Sequence, residues 1–374
     1  MGHANWRLII PLALALGQGA AFAAAPAGAM VKVPGDERKV PAAPETGSQA
    51  ALEQRLGALA AEHLRTMAAD TERRMKGYKD DLGLLASGTF YPNAHSAALK
   101  DKGQTMRFNH FRDKGSFYHG YASPRHFTLE PNPMGPTGVV PMSFTLKPGV
   151  SPSTALDSFR TGLSLLDCGT SAMLSYYEAL RGVLGQEKFD ALFAADSLTP
   201  LRLWPQIEGG LTISPLFRQV PGSSPFKRGQ FMTFTGISGY QLKHINGEGS
   251  NYNVICDDAA TPGSERFVGL GLPAHGADRD GIRQAFVDEY NLDPVGWDIF
   301  TEAVAASIRG SYPPSELTGA ESLAAAKTTL AHFKKAGGTS VWQRWELNGE
   351  RVAALAAASP VQAQLLLAAW HAGS

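Results

Sequence analysis

The stretch that begins at Asp167 constrains the fold of this 374-residue chain more than any other stretch. Cys168 follows the acid, then come small residues through Ala172, then the run Met-Leu-Ser-Tyr-Tyr-Glu-Ala-Leu over residues 173–180. This pattern predicts an amphipathic helix with Cys168 in its first turn. Free backbone N–H groups and the positive end of the helix dipole favour the thiolate there, which is the reactive form of cysteine. A buried, unreactive cysteine at a helix start is the alternative interpretation.

Helical and strand-like patterns on both sides of this helix predict an α+β fold. Alternating or aromatic-rich segments bounded by Gly and Pro predict strands. These segments are 117–121, 126–129, 229–235, 251–256 and 265–272. Apolar residues at helical spacing predict further helices. These helices are expected at 150–159, 186–193, 281–290, 296–308, 322–335 and 351–370.

The first residues have the pattern of a cleavable signal peptide. Arg7 supplies a positive charge, LIIPLALA over residues 8–15 is an apolar run of suitable length, and Ala21-Phe22-Ala23 is a cleavage site of the A-x-A type. Cleavage after Ala23 is predicted, which makes residues 1–23 the signal peptide. The mature protein is therefore expected to be secreted or periplasmic.

The remainder of the chain is predicted to have four parts. Residues 24–49 are rich in Ala, Pro and Gly and predict a disordered leader. Residues 50–88 are expected to form an N-terminal helical arm, because Leu and Met recur there at helical spacing. The core is expected over residues 89–290. Residues 291–374 are expected to be a helical region that packs onto the core or caps it.

Charge, hydropathy and cysteine content limit the partners. The 34 basic and 34 acidic residues give a formal net charge of zero, so no basic excess predicts binding to nucleic acid or to an anionic membrane. No stretch of the mature chain is long and apolar enough to predict a membrane span. Cys168 and Cys256 are the two cysteines, and in an oxidising compartment a disulfide between them is an alternative to a reactive Cys168.

The order of several motifs resembles the small bacterial transglutaminases known from spore coats, which are protein-glutamine γ-glutamyltransferases. The resemblance covers about residues 151–272, and the block around Asp167-Cys168 is its specific part. The other motifs are PSTAL at 152–156, SYYEAL at 175–180, LGQEKF at 184–189, RGQ at 228–230, NVI at 253–255 and GLG at 269–271. The resemblance implies a papain-like, transglutaminase-like core in which the cysteine helix packs against an antiparallel sheet.

The resemblance also implies an activity, which is acyl transfer from glutamine side chains of a protein substrate. The Cys168 thiolate would attack the carboxamide, ammonia would leave, and a lysine or another amine would attack the thioester. Water in place of the amine would give deamidation. The chemistry needs a proton donor for ammonia and an acceptor for the amine proton, and the Cys168 N–H is well placed for an oxyanion site. No metal and no organic cofactor is implied.

The chain departs from the family pattern at two positions. Tyr252 stands where the family has an acid directly before NVI, and Val268 stands where it has a histidine directly before GLG. Glu248 is the nearest acid to the first position. His275 is a candidate for the missing histidine, because it follows the same strand by a few residues.

Further candidates remain open at the expected site. His244 is a second possible histidine, and Asp278 could orient the ring of His275. Asp167 matches the family's acid before the cysteine and is expected either to hold a lysine substrate or to act as a weak base, or else to be a helix N-terminal charge. The expected catalytic residues are thus Cys168, Glu248, His275 and Asp167. A cysteine amidase or peptidase on the same fold, or a catalytically inactive binding protein, is the alternative.

Overall fold

The computed structural model describes residues 46–82, 105–107, 110–113, 116–119, 125–131, 139–161, 166, 168–207, 210–237, 251–291 and 340–373. The predicted signal peptide and the helices predicted at 296–308 and 322–335 lie outside these ranges. Residues 24–45 of the predicted leader lie outside them as well. The same is true of three candidate site residues, Asp167, His244 and Glu248.

Seven α-helices are found within the described ranges. They are α1 (Thr46–Leu82), α2 (Pro152–Thr161), α3 (Cys168–Leu184), α4 (Gln186–Phe193), α5 (Arg279–Asn291), α6 (Gly349–Ala357) and α7 (Pro360–Ala372). The helix predicted to begin at Cys168 is confirmed as α3. The single helix predicted at 351–370 is wrong, because Pro360 starts a new helix that Ser359 caps with its side chain.

The first sheet precedes the cysteine helix in the chain. Its strands are β1 (Thr105–Arg107), β2 (His110–Asp113), β3 (Ser116–His119), β4 (Phe127–Pro131), β5 (Val139–Leu146) and β6 (Arg202–Leu203). They are ordered β1-β2-β3-β5-β4, and β6 pairs with β5. The β3–β5 pair is parallel and the other pairs are antiparallel.

The second sheet is antiparallel throughout, and the α3 helix packs against it. Its strands are β7 (Phe217–Gln219), β8 (Phe231–Thr235), β9 (Asn251–Asp258), β10 (Arg266–Val268) and β11 (Ser340–Leu347), in the order β10-β9-β8-β11-β7. The strand predicted at 265–272 ends early at Val268, where the chain enters a turn. The C-terminal region was expected to be helical, and β11 corrects this expectation. A register shift between Val341 and Gln343 interrupts the alternation that would have indicated a strand.

Helices and mainly antiparallel sheets thus make up an α+β fold, in which α3 packs against β9. Successive side chains of β8 and β9 point to opposite faces of the second sheet. On one face, called the α3 face, Phe231, Ile255 and Val268 join the hydrophobic cluster around α3. The opposite face, called the α5 face, packs in a separate cluster with α5 and is lined by Met232, Phe234, Tyr252, Val254, Cys256 and Phe267.

Helix α1 runs beside α3 in the opposite direction. Near the start of α1, Arg55 Nη2 donates to the carbonyl of Gly182 at the end of α3, at 3.5 Å. Further along α1, His63 contacts Ser175, which lies nearer the start of α3. Four residues of α1 have no exposed surface and belong to the cluster around α3: Leu56, Ala60, Ala61 and Leu64. The first half of α1 is therefore part of the main core.

A close backbone contact fixes α1 against the loop that leads into β8. A Cβ on Gly57 would lie 2.7 Å from Gly229 Cα and 2.8 Å from the carbonyl oxygen of Arg228. Gly229 itself has a φ of 84°, which side chains rarely tolerate. Both positions therefore require glycine.

Candidate functional site

Cys168 is the first residue of α3; it is half-buried and does not form a disulfide. The side-chain amide of Asn253 in β9 donates a hydrogen bond from Nδ2 to the Cys168 Sγ atom at 3.2 Å. A donor that points at sulfur favours negative charge on it, as does the start of a helix. The sulfur is therefore placed where a thiolate is stabilised.

The Asn253 amide is held in one orientation by its neighbours on the α3 face. Thr233 Oγ1 donates to Asn253 Oδ1 at 2.7 Å, and Gln343 Nε2 donates to Thr233 Oγ1 at 3.3 Å. These residues are direct cross-strand neighbours, because β9 pairs with β8 at Asn253 and Thr233 and β8 pairs with β11 at Thr233 and Gln343. A row of polar side chains thus crosses three strands and ends at the cysteine.

Cys256 is unlike Cys168 in each of these respects. It has no exposed surface, it lies on the α5 face, and its Sγ donates to the backbone carbonyl of Asp258 at 3.4 Å. Burial above all, and then the nearby carboxylates of Glu265, Asp257 and Asp258, raise the pKa of Cys256 to about 12. The disulfide between the two cysteines is not formed in this structure.

The two positions that depart from the family pattern lie on opposite faces of the sheet. Val268 pairs with Ile255 and is 1 % exposed on the α3 face, so an aliphatic side chain occupies this position near Asn253. Tyr252 lies on the α5 face, where its ring centroid is 4.6 Å from that of Phe286. Its side chain therefore points away from the helix that carries Cys168.

His275 lies in the turn that follows β10, and its side chain is exposed. The turn is closed by the backbone pairing of Phe267 with Ala277, and Arg266 Nη2 donates to the His275 carbonyl at 3.2 Å. Asp278 Oδ1 accepts the backbone N–H of Gly281 at 2.7 Å, at the start of α5. The catalytic role of His275 stays a prediction.

The three other predicted residues lie outside the described ranges, but the strands show where their segments join the fold. Asp167 directly precedes Cys168 in the chain. The β8–β9 pairing ends at Thr235 and Asn251, and residues 244 and 248 fall between these two positions in the chain. The roles of Asp167, Glu248 and His244 stay predictions.

A second polar cluster lies between α1 and α3. His63 Nδ1 is 3.1 Å from Ser175 Oγ, and His63 Nε2 is 3.6 Å from Glu178 Oε1. Glu178 also pairs with Arg160 at 2.9 Å and with Arg181 at 2.7 Å. Burial, followed by the charges of the two arginines, lowers the pKa of His63 to about 3.

This cluster has the residue types of a serine nucleophile with its base, but its serine is fully buried. Ser175 has no exposed surface, and its hydroxyl donates to the carbonyl of Ser171 at 2.9 Å. A buried hydroxyl already engaged with the backbone cannot attack a substrate. The cluster therefore ties α1 to α3 by polar contacts.

Asn253 is the site residue that sequence reasoning missed. It was recognised only as the first residue of the NVI motif. The available signal was the strand pattern, because Asn253 shares a strand face with Ile255 and is polar on a face that otherwise packs against α3. Within the described ranges, no group of three or more His, Cys, Asp or Glu residues could hold a metal ion. A search of the described residues finds no helix that is long and apolar enough to cross a membrane.

Comparisons of the sequence with known proteins find no match. No family model matches the chain, and no curated protein matches it either. Among solved structures, the chain is similar to a transglutaminase from Geobacillus stearothermophilus (without C-terminal extension). The identity is 15 % and the TM-score is 0.38, over 65 % of this chain and 85 % of that chain. A likeness of this degree is too coarse to assign activity or site residues.

Proposed function

We propose that the chain is a transglutaminase-like cysteine acyltransferase that acts on glutamine side chains of proteins, with Cys168 as its nucleophile. One observation carries the proposal: Cys168, half-buried and outside any disulfide, begins a helix and accepts a hydrogen bond from the Asn253 amide. This environment favours the thiolate, which is the species that attacks a carbonyl carbon. The motifs of residues 151–272 supply the substrate class.

The proposed reaction has two halves. The Cys168 Sγ atom forms a bond to the carboxamide carbon of glutamine, and the C–N bond then breaks as the nitrogen gains a proton and leaves as ammonia. The amine of a lysine side chain next attacks the thioester, loses a proton and releases the thiolate. Water in the second half gives glutamate, so deamidation needs no further group. The mechanism requires no metal or organic cofactor.

We propose that residues other than those at positions 252 and 268 transfer the protons. Val268 has no titratable group, and Tyr252 packs on the α5 face. Asp167, Glu248 and His275 are the proposed acid and base groups, and His244 is the further candidate. Asp167 adjoins the nucleophile in the chain, and Glu248 belongs to the connection that enters β9 three residues later. Each can be tested by its own replacement in the assay below.

Two alternatives have specific support. The buried valine at position 268 favours a catalytically inactive protein that binds a partner. The amide donor on Sγ is equally compatible with a cysteine amidase or peptidase, because these enzymes also pass through a thioester. For all of these functions we propose an exported protein with a signal peptide over residues 1–23, whose substrates or partners are proteins outside the cytoplasm.

The test is an amine-incorporation assay on the mature protein, with a glutamine-containing protein and a labelled primary amine. We expect label to enter the glutamine protein with the wild type and with Cys256→Ala, and not with Cys168→Ala. Ammonia release without label would instead support the hydrolytic alternative. Equal, background-level product from wild type and Cys168→Ala would refute an enzymatic role and leave the binding protein.

A further inference from the structure

We propose that Asn253 stabilises the negative charge at Cys168 during the reaction, and that Thr233 and Gln343 are positioning residues for its amide. The inference rests on the proposed function, in which Cys168 is the nucleophile. In that function Asn253 is the group that stabilises the negative charge. Its role is distinct from that of the acids and histidines proposed to move protons.

The hydrogen bonds of the α3 face all run in one direction. Trp345 Nε1 donates to Gln343 Oε1 at 3.3 Å, and Gln343 Nε2 donates to Thr233 Oγ1 at 3.3 Å. Thr233 Oγ1 then donates to Asn253 Oδ1 at 2.7 Å, and Asn253 Nδ2 donates to Cys168 Sγ at 3.2 Å. Hydrogen bonds aligned in this way polarise one another, so the last donor is strengthened toward the sulfur.

Thr233 determines which end of the Asn253 amide faces the cysteine. Gln343 Nε2 donates to the Thr233 hydroxyl, which in turn donates to Asn253 Oδ1. With the amide oxygen engaged as an acceptor, the Nδ2 end points to Sγ. Without this contact the amide could turn its oxygen to the sulfur and repel a thiolate. Thr233 is 1 % exposed, so water does not replace its hydrogen bond and the contact acts in a low-dielectric environment.

The row stabilises charge and does not carry protons. The side chains of asparagine, glutamine and threonine remain neutral over the pH range in which proteins are folded, so none of them can act as a general base. When Sγ attacks, the charge moves from sulfur to the carboxamide oxygen. Sulfur and oxygen are then bonded to the same carbon. Because Asn253 Nδ2 lies 3.2 Å from Sγ, it is close enough to donate a hydrogen bond to that negatively charged oxygen.

The test measures how the alkylation rate of Cys168 by iodoacetamide depends on pH, followed by mass spectrometry of the peptide that contains it. Only the thiolate reacts, so the midpoint of the profile reports ionisation. Asn253→Ala removes the donor, and Thr233→Val removes the hydroxyl but keeps the branched shape. We expect each to raise the midpoint by about one pH unit, which lowers the alkylation rate at neutral pH roughly tenfold.

Three further variants separate this role from a structural one. Thr233→Ser keeps the hydroxyl and is expected to restore the midpoint. Thr145→Val is the control, because Thr145 lies in β5 of the other sheet and its buried hydroxyl has no hydrogen-bond partner in the described part of the chain. Asn253→Asp places a carboxylate beside the sulfur and is expected to raise the midpoint further than Asn253→Ala does.

The proposal is overturned if folded Asn253→Ala and Thr233→Val keep the wild-type midpoint. If Thr233→Val fails to fold, the two Asn253 variants decide, and equal midpoints for Asn253→Asp and Asn253→Ala would overturn it. Failure of this inference and failure of the proposed function give different results. Midpoint shifts without amine incorporation would refute the acyltransferase and leave only the stabilisation of the resting thiolate by Asn253. Cys168-dependent incorporation with unmoved midpoints would uphold the acyltransferase and overturn this inference.

Discussion

The two faces of the second sheet place the two cysteines in opposite chemical environments. On the α5 face, Cys256 is enclosed by aromatic and aliphatic side chains, and its pKa is raised to about 12. On the α3 face, Cys168 lies at the end of a polar row and accepts a hydrogen bond from Asn253. Residues 253 and 256 belong to the same strand, so strand alternation places the contact with Cys168 on one face and the buried Cys256 on the other.

The α3 face of the second sheet changes from polar to apolar along its strands. Near Cys168 this face carries Asn253, Thr233 and Gln343, whereas two positions away along β9 and β8 it carries Ile255 and Phe231. Buried polar side chains cost stability unless they are satisfied, and each member of the row has a partner. The polar row is therefore the part of the α3 face whose composition packing does not explain.

The largest expected effect is on the relative reactivity of the two thiols. Near neutral pH, iodoacetamide should modify Cys168 at least about a thousandfold faster than Cys256, because a thiol with a pKa near 12 is scarcely ionised. Peptide mass spectrometry on the native protein measures both rates in one sample. Comparable rates, or faster labelling of Cys256, would contradict the contrast between the two faces.

Replacing Phe286 tests the α5 face alone. Phe286 has no exposed surface and packs on Tyr252, so Phe286→Ala should lower the free energy of unfolding by about 3–5 kcal/mol. Urea unfolding measures the loss. The cavity should also speed labelling of Cys256 and leave the pH profile of Cys168 unchanged. A changed Cys168 profile in folded Phe286→Ala would show that the two faces are coupled.

Gly57→Ala tests the contact that holds α1 against the sheet. In an exposed helix this change stabilises by up to about 1 kcal/mol, but here the added Cβ meets two backbone atoms of Arg228 and Gly229. We expect a loss of about 3 kcal/mol, at the upper end for overpacking, because neither atom can move aside easily. Gly182→Ala in α3 is the matched control, since its Cβ would approach only the flexible end of Leu59, at 3.3 Å. Equal effects of the two changes would refute the special role of Gly57.

The smallest expected effect concerns His63, which lies on the same side of the sheet as Cys168. Its pKa is about 3 in the folded chain and near 6.5 when unfolded, so only the unfolded state takes up a proton as the pH falls from 6.5. The folded state therefore loses stability, by about 2 kcal/mol between pH 6.5 and pH 5. His63→Asn, which can keep a contact to Ser175, should show a shallower dependence of unfolding free energy on pH. Parallel curves for both proteins would exclude this assignment.

Local patterns in the sequence were sufficient for the helix at the site and for its neighbours. Small residues after Asp167 and an apolar periodicity predicted the helix that begins at Cys168, which is α3. The alternation in residues 229–235 and 251–256 predicted β8 and β9. These signals are local, because hydrophobic periodicity and glycine placement are properties of a short segment.

The polar row could not be predicted, because it depends on pairing between distant segments. Gln343 and Thr233 are 110 residues apart in the chain, and nothing local indicates that β11 inserts between β7 and β8. The family motifs directed attention to Tyr252 and Val268. Register and face decide instead that Asn253 meets the cysteine and that Tyr252 does not.

The most direct test of the account is the intact mass of the protein after a short incubation with a glutamine-containing peptide and an acid quench. The account predicts an adduct equal to the peptide mass minus one ammonia, located on Cys168 and absent from Cys168→Ala. The adduct should disappear when a primary amine is added before the quench. An unmodified Cys168, with no ammonia released above the level of Cys168→Ala, would contradict the claim that this thiol is a nucleophile toward glutamine.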